Sequence, residues 1–136
     1  SGVVERLPGL ISTLGLEEEL LSPLLEAASR VPVSELTKRH GDALGALVDA
    51  VADAVLKTQD LAAVRRGAAA LGRLASEAPP ALGALLQSSF AALADSLTKG
   101  ASAGLAALGR GSKPTAVAAL GVKRLALVGG AVDLSR

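Results

Sequence analysis

The sequence predicts an all-α fold, and three observations support this. Leu, Ala and Val supply most of the apolar residues, and Phe90 is the only aromatic residue among 136. Ala and Leu are strong helix formers, whereas strands favour β-branched and aromatic residues. Apolar residues recur at helical spacing, and no segment alternates with the period of a strand. We therefore expect a single compact bundle of five to seven helices with no sheet.

The length of the chain is typical of one domain, which buries about two thirds of the surface that the unfolded chain exposes. We therefore interpret residues 1–136 as one helical domain, with residues 1–15 and 129–136 as the candidates for flexible ends. The chain contains no Cys. This excludes disulfides and thiolate metal sites but leaves the compartment open.

Proline, glycine and capping residues divide the first half into predicted helices. Residues 2–14 have helical spacing, but Pro8 and Gly9 interrupt it, so no single straight helix is expected there. Glu17, Glu18 and Glu19 suit the positive end of a helix dipole and begin a helix of about 17–30. Ser34 begins a long amphipathic helix of about 34–58, which is the most regular in the chain.

Four further helices are predicted in the second half. Asp60 is a candidate cap for a helix over 61–77, which Pro79 and Pro80 end. A helix over 81–98 follows and is expected to end at Gly100. The remainder divides at residues 109–114 into a short helix over 101–109 and a final helix over about 115–128.

The net charge of +1 hides a separation along the chain. Residues 1–64 carry ten acidic and five basic side chains, for a net charge of −5, whereas residues 65–136 carry three acidic and nine basic side chains, for a net charge of +6. The two halves either intermix their charges on one surface or form acidic and basic poles. Separate poles would favour head-to-tail association or attraction to an anionic surface.

Hydropathy raises the question of a membrane span, because the mean hydropathy is +0.46. Residues 115–134 are long enough, but Lys123 and Arg124 lie at their centre. Insertion of each charge into a bilayer costs about 2.5–3.5 kcal/mol, whereas each Leu or Val favours insertion by only about 0.3–0.6 kcal/mol. The sequence therefore predicts no spanning helix, while surface association stays open.

Residues 99–111, KGASAGLAALGRG, match two catalytic motifs incompletely. The G-x-S-x-G elbow around Ser102 requires a preceding strand and a downstream His, but the only His is His40, which lies upstream. The phosphate loop requires Lys and Ser or Thr where Arg110 and Gly111 stand. Neither motif therefore predicts an enzyme.

Other interpretations of this region need no residue that the sequence lacks. They are an anion contact and close helix packing, and the packing interpretation also applies to Gly41 and Gly45. Arg110, Ser112 and Lys113 precede a helix start and are candidates for an anion contact, although an ordinary helix connection explains them too. Small residues one turn apart allow a second helix to come close. The candidate packing residues are Gly41, Gly45, Gly100 and Gly104. His40 is a candidate for a pH-sensitive contact, or for a packed residue at the edge of an apolar stripe.

These observations predict a non-catalytic domain without cofactor or metal. A zinc site would need further His or Cys ligands, but the sequence has one His and no Cys. Nucleic acid binding would need exposed aromatic rings for base stacking, and the basic half is expected to expose none. The first hypothesis is an interaction or assembly domain that binds itself or another protein through apolar helix faces or through its acidic and basic ends. The alternative is a carrier or membrane-surface binder of apolar or amphiphilic molecules such as lipids, with cations beside small apolar faces. The cations that support this alternative are Arg65, Arg66, Arg73, Lys123 and Arg124.

Overall fold

The fold is all-α, as predicted. A computed structural model describes residues 2–14, 18–34 and 42–132. These residues contain no strand and form six α-helices with one 3-10 turn, Pro80–Leu82. The helices are α1 (Gly2–Leu14), α2 (Glu18–Arg30), α3 (Asp42–Lys57), α4 (Leu61–Glu77), α5 (Gly83–Gly109) and α6 (Ala116–Ala131).

Capping side chains begin two of these helices, and the predicted bounds of α4 are confirmed. The Asp60 carboxylate accepts a hydrogen bond from the amide of Ala62 at 3.0 Å and begins α4. The Thr115 hydroxyl accepts one from the amide of Ala118 at 3.2 Å and begins α6. Of the long helix predicted over 34–58, the segment 42–57 is helical, and residues 35–41 lie outside the described residues.

The predicted interruption at Pro8 is wrong, because α1 continues through this residue. Proline in a helix interior removes one amide and costs about 3 kcal/mol. Leu7 and Ile11 flank it and are buried against the core. Burial of two such side chains contributes about 1.5–3 kcal/mol each and offsets the cost.

The predicted helix end at Gly100 is also wrong, because α5 is one helix of 27 residues. A glycine in a helix interior costs about 1 kcal/mol relative to alanine, but it does not by itself end a helix. Beyond it, Ala101, Gly104 and Ala107 are buried, so α5 gains packing when it continues. The separate helix predicted over 101–109 is therefore the last part of α5.

The core is built from aliphatic side chains contributed by all six helices. Helix α1 packs on α3, α2 packs on α4, and α3 packs on α4, while α5 and α6 pair with each other and lie against this group. Phe90 lies at the edge of the core. The largest fully buried side chains are Ile11, Leu21, Leu25, Leu44, Leu47, Leu71, Leu74 and Leu97.

Two glycines of α4 allow neighbouring helices to approach closely. A Cβ atom on Gly67 would lie 2.4 Å from Cγ2 of Val55 in α3. A Cβ atom on Gly72 would lie 2.5 Å from the carbonyl oxygen of Ala131 in α6. Since real Cβ atoms do not come so near, α4 could not hold its distance from α3 and α6 with alanine at both positions.

Two arginines satisfy carbonyl groups at the ends of other helices. Nη2 of Arg73 donates to the carbonyl oxygen of Ala28 at 3.2 Å and to that of Val31, and Nη1 bonds Glu77 at 3.0 Å. Nη2 of Arg124 donates to the carbonyl oxygen of Thr58, which follows α3. Burial lowers the pKa of Arg124 from its ordinary value. These side chains therefore serve the fold, and the role of lipid-facing cations does not fit them.

Replacement of Arg73 by Met should destabilise the protein by about 1.5–3 kcal/mol, because the carbonyls of Ala28 and Val31 lose a charged donor while the apolar stem is kept. Urea unfolding followed by circular dichroism measures this change. Arg65→Met, at an exposed position of the same helix, is the matched control and should change stability by less than about 0.5 kcal/mol. Equal effects of the two substitutions would contradict the capping role.

Candidate interaction surface

Helices α5 and α6 form an antiparallel hairpin with a very close backbone contact. A Cβ atom on Gly104 would lie 2.5 Å from Cγ2 of Val122 and 2.6 Å from the carbonyl oxygen of Ala118. A Cβ atom on Gly121 would lie 2.1 Å from the carbonyl oxygen of Gly100. The two helices therefore touch through backbone and small side chains, which is the geometry that small residues one turn apart permit.

The end of this hairpin extends beyond the shared core. Leu97 is the last residue of α5 in the core, and Leu125 is the first residue of α6 that packs against it. Residues 98–109 continue α5 for about 18 Å at the helical rise of 1.5 Å per residue. We call residues 101–122 the hairpin tip. Its buried residues Ala101 and Ala107 lie outside the core cluster.

Large apolar side chains of the hairpin tip face solvent. The exposed fraction is 46% for Leu105, 53% for Leu108 and 82% for Val117. Among the described residues, only Leu20 and Leu85 are also large, apolar and exposed. Single exposed leucines are common on proteins, but a cluster at one projecting end is typical of an interaction site.

The charge around the hairpin tip has one sign. No acidic residue lies between Asp95 and Asp133 in the sequence, whereas five basic residues do, namely Lys99, Arg110, Lys113, Lys123 and Arg124. Lys99 pairs with Asp95 at 2.9 Å, and Arg124 bonds the carbonyl of Thr58. Arg110, Lys113 and Lys123 form no ion pair within the described part of the chain.

The turn at the end of α5 holds the three residues predicted to contact an anion. Gly111 has a φ of 72°, and its amide donates to the carbonyl of Leu108, while the amide of Ser112 donates to that of Ala107. This pattern is a Schellman motif that closes the helix. Because the amides of Arg110, Gly111 and Ser112 are occupied, the side chains of Arg110, Ser112 and Lys113 are the groups that remain for an anion.

The other predicted site residues are His40, Gly41, Gly45 and Gly100. His40 and Gly41 fall outside the described residues. A Cβ atom on Gly45 would lie 3.2 Å from Cδ2 of Leu85, so this position is a contact between α3 and α5. A Cβ atom on Gly100 would meet nothing within 4 Å, and only the carbonyl of this residue takes part in the hairpin contact.

Sequence reasoning missed Gly121, which makes the tightest approach in the hairpin. Part of the signal was present, because Ala118 and Gly121 are small residues about one helical turn apart. The sequence does not show that α5 pairs with α6. Without this pairing, the glycine at the closest helix contact could not be predicted.

The hairpin tip carries no constellation for proton transfer. The Ser102 hydroxyl donates to the carbonyl of Lys99 at 2.9 Å within α5, so the G-x-S-x-G match lies inside a helix instead of at a turn after a strand. Residues 101–122 contain no Asp, Glu or His. In the described ranges, no group of three or more His, Cys, Asp or Glu could hold a metal ion.

A surface groove lies at the other end of α5. Its volume is about 590 Å³, and most of its lining is apolar, with Ser76 and Gln87 as polar members. It lies between the end of α4, the start of α5 and the end of α6, with Phe90 and Val132 among its walls. No charged side chain among the described residues lines it.

Comparison of the chain with protein-family models, with curated proteins and with solved structures gives no match. None of the described helices is both long enough and apolar enough to cross a membrane.

Replacement of glycine by alanine should raise the free energy of unfolding at Gly100 and lower it at Gly104 and Gly121. Gly100→Ala should stabilise the protein by up to about 1 kcal/mol, because alanine favours helix and the added methyl group meets no atom. Gly104→Ala and Gly121→Ala should each destabilise it, because the methyl group would overlap α6 or the backbone of α5.

Thermal unfolding and amide hydrogen exchange of residues 101–122 measure both effects. If all three alanine variants changed stability in the same direction, the close contact between α5 and α6 would be refuted.

Proposed function

We propose that this chain is a non-catalytic interaction domain whose binding element is the hairpin tip. The observation that carries the proposal is the exposure of Leu105, Leu108 and Val117 on a segment that projects beyond the core. Burying them against a partner recovers hydrophobic free energy that the folded chain alone does not use.

The arrangement of these side chains favours binding over a structural role. Of residues 101–109, only Ala101, Gly104 and Ala107 are buried, and the other six are exposed. A helix with apolar residues around most of its circumference is usually surrounded by protein or lipid. In this chain, one narrow stripe contacts α6 and the remaining circumference is available to a partner.

The firm pairing of the two helices supports the same proposal. Close packing at Gly104 and Gly121 and the closed turn at Gly111 fix the positions of the exposed side chains. A binding element that is already ordered loses little conformational entropy when its partner arrives. The hairpin tip therefore suits association, while its lack of a general base disfavours catalysis.

Replacement of Leu105, Leu108 and Val117 together by Ser should remove the association. Burial of these three partly exposed side chains contributes about 1 kcal/mol each, so affinity should fall by about a hundredfold. The association of the purified chain is measured in two assays, sedimentation velocity for self-association and flotation with phospholipid vesicles for lipid binding.

Leu20→Ser is the matched control, because Leu20 is an exposed leucine of α2, with 38% exposure, outside the hairpin. The proposal requires that the native chain associates in at least one assay, that the triple variant loses this association and that the control keeps it. Association in neither assay, or equal association of the triple variant, would refute it.

A further inference from the structure

The chemistry of the hairpin tip also indicates what kind of partner it binds. The inference rests on the proposed function, since it names the partner of the same surface. Three features carry it: the shape of the surface, the sign of its charge and the kinds of side chain that it lacks.

The hairpin tip projects beyond the shared core. Exposed apolar side chains come from the last turns of α5 and from the first turn of α6, around a projecting end. A protein partner would need a concave site that fits this end. A bilayer needs no such match, because lipid headgroups and acyl chains rearrange around an inserted apolar group.

The positive charge of the hairpin tip favours an anionic surface over a neutral one. Arg110 and Lys113 lie in the turn between Leu108 and Val117, with no acidic residue nearby in the sequence. Each basic residue close to an anionic leaflet contributes to attraction, and long basic side chains keep their charge at the headgroups while their stems lie in apolar surroundings. Two copies of the hairpin tip would instead bring like charges together.

The side chains that are missing disfavour nucleic acid. Single-stranded nucleic acid binds through aromatic rings on which bases stack. Residues 101–122 contain no aromatic residue, and Phe90 is buried. Cations beside exposed apolar side chains such as leucine are a combination by which peripheral proteins bind an anionic membrane surface.

From these features we propose that the hairpin tip binds an anionic lipid bilayer. Arg110 and Lys113 contact lipid phosphates, while Leu105, Leu108 and Val117 enter the boundary between headgroups and acyl chains. The association is peripheral, in keeping with the absence of a membrane-crossing helix from the described segments.

The chain offers a direct reporter for insertion, because it contains no Trp and no Tyr. In Val117→Trp, the introduced indole is the only strong emitter, and its emission should shift to shorter wavelength when vesicles are added. Leu20→Trp is the matched control and should show no shift. The vesicles contain either phosphatidylcholine alone or an equal mixture of phosphatidylcholine and phosphatidylglycerol.

Partition of the full chain into the same vesicles tests the role of charge. Arg110→Gln with Lys113→Gln should weaken binding to the mixed vesicles by about thirtyfold, or about 2 kcal/mol. Arg6→Gln with Arg65→Gln removes the same charge from exposed positions of α1 and α4 and should change binding little. Added salt should weaken binding of the native chain.

The outcomes separate this inference from the function on which it rests. An emission shift of Val117→Trp with mixed vesicles only, together with loss of binding in the tip charge variant, supports the bilayer. Equal binding to both vesicle types, or equal loss in the control charge variant, overturns it. Self-association that depends on Leu105, Leu108 and Val117, without vesicle binding, also overturns it but preserves the proposed function. If neither association occurs, both fail.

Discussion

The close approach of helix backbones is the constraint on which the rest of this structure depends. Its core consists of Leu, Ala, Val and Ile with one aromatic ring, and protein interiors must be filled to the density of organic crystals. Such side chains leave no voids only where the helices come near. Gly67, Gly72, Gly104 and Gly121 lie at those contacts, where an added methyl group would overlap a neighbour. Each glycine costs about 1 kcal/mol of helix propensity, which the packing must offset.

The same constraint explains the hairpin tip. Helices α5 and α6 meet through backbone and small side chains at Gly104 and Gly121. The larger side chains, Leu105 and Leu108, therefore stay outside the contact instead of filling it. A pair of helices that packed through leucine would have hidden these residues, and no projecting apolar surface would have resulted.

The basic residues of the second half have two different roles: some bond other helices of the fold, and others are exposed on the surface. Arg73 and Arg124 satisfy carbonyl groups at the ends of α2 and α3, so two of the cations of the basic half connect helices of the fold. Arg110 and Lys113 bond no acidic partner among the described residues and lie at the far end of the hairpin. Two exposed cations of the basic half therefore lie in the same segment as the exposed apolar side chains.

Helix limits that depend on residues of the same helix could be predicted from the sequence. Features that depend on packing between helices could not. Asp60 and Pro79 set the limits of α4 through local capping and sterics, and these limits were correct. Pro8 and Gly100 were expected to break helices but did not, because burial on neighbouring helices outweighs their cost. At the candidate site, Gly104, Arg110 and Lys113 could be proposed from the sequence, and the anion contact of Arg110 and Lys113 stays a prediction. Gly121 and the bonds of Arg73 and Arg124 require knowledge of which helices pair.

The central claim is that the hairpin tip, and no other part of the chain, meets the partner. Hydrogen exchange of the full chain with and without mixed phosphatidylcholine and phosphatidylglycerol vesicles tests it most directly, because every helix is observed in one experiment. We expect added vesicles to slow exchange within residues 101–122 and to leave exchange in α2, α3 and α4 unchanged. Slower exchange in α2 or α3 with an unchanged hairpin would contradict it.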